Sequence, residues 1–162
     1  MKRLGMVSRL LGLPLAFLLP AALASGPSPV LRVVADGGEV ILRVAIPELR
    51  WELHWRHSVS GVWLRDLFAW RDGAVVLTDA YAPNLDLAGM GYTPGRGELR
   101  FSPEGGYHIA NIGEVISGVY FRLGSSLAPT VLVVQGRRYQ LSELYPGGRV
   151  RFEVLAFPVI AP

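Results

Sequence analysis

Three histidines, an aspartate and a serine are the residues whose types could do chemistry here, and their spacing decides how much. His54 and His57 stand three apart, which on a strand puts them on opposite faces. They cannot share a metal ion without a bulge between them. A histidine site would need His57, His108 and a carboxylate gathered by the fold, so no metal ligand is assigned. Ser58 follows His57 directly, and its hydroxyl points away from the imidazole. A Ser–His–Asp triad needs nucleophile and base within hydrogen-bond reach, and no G-x-S-x-G elbow is present, so no residue is assigned a catalytic role.

The pair that remains is His57 with Asp66. Ser60-Gly61 lies between two strand-like runs and suits a two-residue hairpin turn. That turn pairs Val59 with Val62, His57 with Leu64, Trp55 with Asp66, Leu53 with Phe68 and Trp51 with Trp70. One face of the hairpin is then apolar apart from His57 and Asp66. The other carries Arg50, Glu52, His54, Arg56, Ser58, Trp63, Arg65 and Arg71. His57 and Asp66 become diagonal cross-strand neighbours, roughly 7–8 Å apart at the backbone, a gap that longer side chains bridge. A buried charge is costly alone, so the two are expected to partner, with the attraction holding the Asp66 carboxyl below its ordinary range. Such a pair either fixes strand register or offers a ligand a polar contact on an aromatic wall. The ligand-binding candidates are His57, Asp66, Trp55 and Trp70, with Trp51 beside them.

The elements that must position these residues read as strands. Apolar residues recur with period two from Val30 onward, as in Val40, Leu42, Val44 and Ile46, with Gly37-Gly38 as a hairpin turn before them. Further strand-like runs cover Arg50–Val59, Val62–Trp70, Ala74–Asp79, Glu98–Phe101, Tyr107–Ile112, Gly118–Leu123, Thr130–Val134, Arg138–Leu141 and Arg149–Phe157. Ser142–Tyr145 fits a single helical turn. The pattern predicts an all-β domain, an antiparallel sandwich or small barrel of about eight to ten short strands. One irregular stretch, Ala80–Gly97, is long for a compact domain and rich in Gly and Pro. Its glycines lack the strand-to-helix setting of a phosphate loop. Gly89 and Gly91 instead let the backbone turn tightly or approach a ligand beneath Tyr92, which adds these three to the candidate site.

The N-terminus predicts export. Lys2, Arg3 and Arg9 precede an apolar stretch from Leu10 to Ala24 that ends in Ala22-Leu23-Ala24. The stretch is shorter than the roughly 20 residues of a spanning helix and is broken by Pro14 and Pro20. It reads as a signal peptide over residues 1–24, followed by one extracytoplasmic domain over 25–162, periplasmic or extracellular. An uncleaved N-terminal anchor is the alternative, and would be the only membrane contact. Beyond residue 24 the chain holds 13 arginines against 13 acidic residues and no lysine. That balance offers nucleic acid no electrostatic footprint. With no cysteine, disulfides, thiolate metal sites, cysteine nucleophiles and lipid-modified cysteine are all excluded.

These motifs carry a resemblance. The stretch from Val30 to Phe157 resembles the bacterial domain of unknown function numbered eighteen-fifty. His57-Ser58-Val59 matches that family's His-Ser-Val-Glu strand end, with Ser60 in place of the glutamate. Asp66-Leu67-Phe68 matches an acidic-aromatic piece, and Ala88-Gly89-Met90-Gly91 a glycine segment. Gly136–Leu141 with Gly148–Val154 matches the end. Members of the family commonly accompany, or are fused to, tripartite TRAP transporters of the TAXI type. The resemblance therefore implies a non-enzymatic, cofactor-free accessory to solute uptake, with transporter components or a small carboxylate or amino-acid solute as partner. Two other readings stand beside it. One is a structural cell-envelope module without ligand, and the other an enzyme using His57 and Asp66 as an acid–base pair.

Overall fold

Alternating apolar residues, punctuated by glycine turns, build two antiparallel sheets in the computed structural model, which describes residues 28–84 and 95–156. The smaller sheet contains β1 (Val30–Ala35), β2 (Val40–Ala45), β9 (Phe121–Arg122) and β12 (Arg149–Leu155), in the order β2-β1-β12-β9. The larger contains β3 (Arg50–Arg56), β4 (Trp63–Arg71), β5 (Ala74–Ala82), β6 (Glu98–Phe101), β7 (Tyr107–Ala110), β10 (Thr130–Val134) and β11 (Arg137–Gln140). Its order is β11-β10-β3-β4-β5-β7-β6, and β8 (Glu114–Val115) pairs with β5 off this path. A single helical turn, α1 (Leu141–Leu144), follows β11.

The expected all-β class holds, and the arrangement is a sandwich; among the described residues no barrel closes. Among the described residues the strands number twelve, more than expected, because short pairings such as β8 and β9 exist only through partners distant in sequence. Of the run Gly118–Leu123 only Phe121 and Arg122 pair, alongside Val150 and Arg149.

The core lies between the sheets. Leu31, Val33, Val150 and Phe152 face Trp51, Leu53, Phe68 and Leu132, all buried in one cluster. Phe68 reaches furthest across, with ring centroids 5.8 Å from Phe121 and 5.6 Å from Phe152 in the opposite sheet, and 6.0 Å from Trp51 in its own. Offset and edge contacts of this kind add to the large area an aromatic ring buries. A second, smaller cluster of Leu64, Ala82 and Ile109 lies along the large sheet toward β7. Trp55 packs against both clusters.

The β3–β4 hairpin differs from expectation in one respect that governs the site. Its faces are as predicted, with Trp51, Leu53, Leu64 and Phe68 all buried. Its register is shifted by two residues: Trp55 pairs with Leu64, Leu53 with Asp66 and Trp51 with Phe68. The cause is the turn. His57 N–H donates to Val62 O at 2.8 Å, and Gly61 N–H donates to His57 O at 2.9 Å, so four residues, Ser58 to Gly61, form the loop. Gly61 supplies a positive φ of 71°, which costs glycine little. Ser60 N–H also donates to His57 Nδ1 at 3.1 Å, so the imidazole caps the turn.

Candidate functional site

The shifted register parts the expected pair. With Trp55 opposite Leu64, the diagonal neighbour of Asp66 on β3 is Trp55, and the Trp55 indole Nε1–H donates to Asp66 Oδ2 at 2.8 Å. His57 turns to Ser60 instead, with Nδ1 2.9 Å from its hydroxyl. The ion pair expected between His57 and Asp66 is therefore corrected to a Trp55–Asp66 hydrogen bond. The direction of the Asp66 shift is reversed as well. Burial of the carboxyl pushes it up to about 6, against the pull of the Trp55 hydrogen bond and the Arg96 charge. Leu53 on one flank belongs to the main core and Ala80 on the other packs against the smaller cluster, so Asp66 sits at the seam between them.

The other candidates scatter. Trp51 is buried in the core against Phe68, and Trp70 packs on the same cluster. Trp70 stands four residues along β4 from Asp66, about 13 Å at strand rise, too far to share a ligand contact of ordinary size. Gly89, Gly91 and Tyr92 lie outside the described residues. Ser60 and His57 touch, but the Ser60 amide occupies the Nδ1 lone pair. That imidazole cannot take the hydroxyl proton through Nδ1, and the contact is a turn cap. No group of three or more His, Asp or Glu side chains among the described residues could hold a metal ion.

The opposite face of the large sheet gathers more polar chemistry. Register aligns His54, Arg65, Tyr81, His108 and Arg100 in one row across β3, β4, β5, β7 and β6. Glu52 and Asp79 stand one step along, opposite Leu67. His54 Nε2 lies 2.7 Å from Glu52 Oε2, and His108 Nε2 lies 2.9 Å from Asp79 Oδ1. An ionised carboxylate only accepts, so each Nε2 carries the proton it donates. Tyr81 stacks on His108 with centroids 4.2 Å apart and planes 6° from parallel, and Arg65 covers its other face at 4.0 Å. Burial holds the Tyr81 hydroxyl above its ordinary value despite that guanidinium. Sequence reasoning named Glu52, His54 and Arg65 only as an outward polar face and missed Tyr81, Asp79 and His108 as their neighbours. The polar alternation was visible within the hairpin; the pairing of β4 with β5 and β7 was not.

One end of the same sheet is apolar. Val59 in the β3–β4 turn is 89% exposed, Leu127 before β10 is 82% exposed and Phe101 at the end of β6 is 81% exposed. Trp63, the first residue of β4, is half exposed at the same end. Antiparallel pairing brings the end of β3, the start of β4, the end of β6 and the start of β10 to this one end of the sheet. Arg56 ties two of the loops, donating from Nε to Gly61 O at 2.7 Å and from Nη1 to Leu127 O at 3.4 Å.

These features define a class: a two-sheet antiparallel sandwich with a closed aromatic core, a polar outward face and an apolar end. A family model described as Domain of unknown function (DUF1850) matches residues 51–141, and the chain belongs to that family. The match spans the hairpin, the polar face and the strands up to α1. Neither the curated proteins nor the solved structures yielded a match.

Proposed function

We propose that this domain is a non-enzymatic, extracytoplasmic accessory to a TRAP-type solute transporter of the TAXI class, and that it docks on the transporter's membrane component through the apolar end of its large sheet. The observation that carries this reading is the exposure of Val59, Phe101, Leu127 and Trp63, drawn from three separate stretches of chain, at one end of the large sheet. Single exposed apolar residues are ordinary on soluble proteins, but several gathered at one end mark an interaction surface. Aromatic residues and arginine, here Trp63 and Phe101 at this end with Arg56 opposite Trp63, are the types enriched where protein partners meet. The signal-like residues 1–24 support export, and the partner is the one that the resemblance of the motifs implies.

The test is solute uptake by the cognate transporter in cells carrying Val59→Asp with Leu127→Asp. Both side chains are exposed and remote from the core, so the protein should accumulate and melt as the parent does. Uptake is expected to fall at least about fivefold, because two desolvated charges at the centre of an interface cost several kcal/mol of affinity. Unchanged uptake, with the variant present at parental level, would sink the docking reading.

A further inference from the structure

The polar face holds a groove that meets the apolar end only at Trp63. It encloses about 420 Å³ between His54, Arg65, Tyr81 and Arg138 on the sheet and the Ser102–Gly105 turn above them. Arg65 is fixed in place. It lies over Tyr81, Tyr81 lies on His108, and His108 is anchored to Asp79. This stack presents a planar guanidinium in a set orientation, which lowers the entropy lost when an anion is gripped.

Among the described residues, the one acid that meets Arg65 in the groove is loosely held. Glu104 Oε2 stands 3.6 Å from Arg65 Nη2, beyond hydrogen-bond length, and its side chain is 77% exposed. It belongs to the tight turn between β6 and β7, where Ser102 N–H donates to Gly106 O at 3.0 Å. Gly106 has a φ of 78°, and a Cβ there would fall 2.5 Å from Ala82 O, so only glycine brings this turn so close to the end of β5. The chain thus rests one of its own carboxylates near a prepared arginine. Arg138 lines the same groove, and its side chain makes no ion pair or hydrogen bond among the described residues. Three strand spacings and a two-residue offset along the strands, about 16 Å together, separate its backbone from that of Arg65, and the reach of the Arg138 side chain lets the two guanidinium groups hold the ends of a short dicarboxylate across that gap.

We propose that this groove binds a small carboxylate anion, which displaces Glu104 from Arg65 and sets a second carboxylate, where it has one, on Arg138. Arginine forks match carboxylate oxygens in pairs, and the Tyr81 hydroxyl, kept protonated, offers a donor at the wall. The groove shares Trp63 with the apolar end, but its charged groups lie on the outward face and none of them is used in docking, so either reading can fail without the other.

Calorimetric titration of the full chain with succinate, acetate and inorganic phosphate at low ionic strength tests it. Succinate is expected to bind more tightly than acetate. Glu104→Gln, which removes the internal competitor, should tighten both several-fold without moving the melting temperature of the unliganded protein. Arg138→Ala should weaken succinate several-fold and leave acetate as it was. Arg65→Ala should weaken both by about tenfold or more, a loss of about 1.4 kcal/mol. Three results would overturn the proposal: no carboxylate binding to the parent or to Glu104→Gln, a Glu104→Gln affinity equal to the parent's, or binding of phosphate alone.

Discussion

Phe68→Ala is expected to lower stability by about 3–5 kcal/mol, the range for removing a fully buried phenylalanine and leaving a cavity. Phe68 is 1% exposed and touches Phe121 and Phe152 across the sandwich as well as Trp51 beside it. Few of those neighbours can move inward, because each is held by its own strand pairing. Domains of this size have about 5–15 kcal/mol in total, so the variant loses a large share of it. The melting temperature should fall by roughly 10–20 °C. Phe68→Leu, which keeps most of the volume, should cost less than about half as much. A Phe68→Ala loss below about 1 kcal/mol would show that the two sheets do not close on this ring.

Asp66 carries the second prediction, which runs against the usual behaviour of carboxylates. Its folded pKa is raised to about 6 from 3.8, chiefly because burial disfavours the charged form. Between those values the folded state binds more protons than the unfolded one, so stability falls as pH rises through the window and stays low above it. A shift of about two units corresponds to about 3 kcal/mol, present in full below pH 4 and lost by about pH 6.5. Glu98 acts in the opposite sense, since hydrogen bonds from Arg100 and Asn111 hold its carboxyl below the ordinary range. Comparing variant with parent removes that background. Asp66→Asn keeps an oxygen for the Trp55 indole and carries no charge. It should melt higher than the parent at pH 7 and close to it at pH 4. Chemical denaturation at the two pH values checks this. Equal stability differences at both would mean that Asp66 is not desolvated in the folded state.

The same residue shows where reading from sequence ended. Strand existence and face were legible because a period of two survives any register step of two; Trp51, Leu53, Leu64 and Phe68 point inward in either register. Partner identity does not survive such a step. Ser60-Gly61 suits a two-residue turn, but His57 and Gly61 close a four-residue loop, and that change moved the diagonal contact of Asp66 from His57 to Trp55. Local turn chemistry, set by an imidazole cap, outweighed the apparent hairpin signal.

The outward face was hidden for another reason. Glu52, His54 and Arg65 read as solvated residues because alternation puts polar side chains outside on nearly every half-buried strand. Their organisation depends on β5 and β7, which bring Tyr81, Asp79 and His108 beside them from far along the chain. The apolar end is likewise made of loops that pairing alone brings together, and Val59, Phe101 and Leu127 lie in three separate stretches. Single exposed apolar residues in a sequence carry no such message.

The proposed role requires this end of the sandwich to meet a transporter. Site-specific photo-crosslinking in living cells, with the reactive side chain placed at Val59 or Leu127 and, as control, at the exposed Arg137 of β11, tests it most directly. The account predicts a crosslink from the two loop positions, and none from the control, to a product identified by mass spectrometry as the membrane component of a TAXI-type transporter. Crosslinks to that component from all three positions alike, or from none, would contradict it.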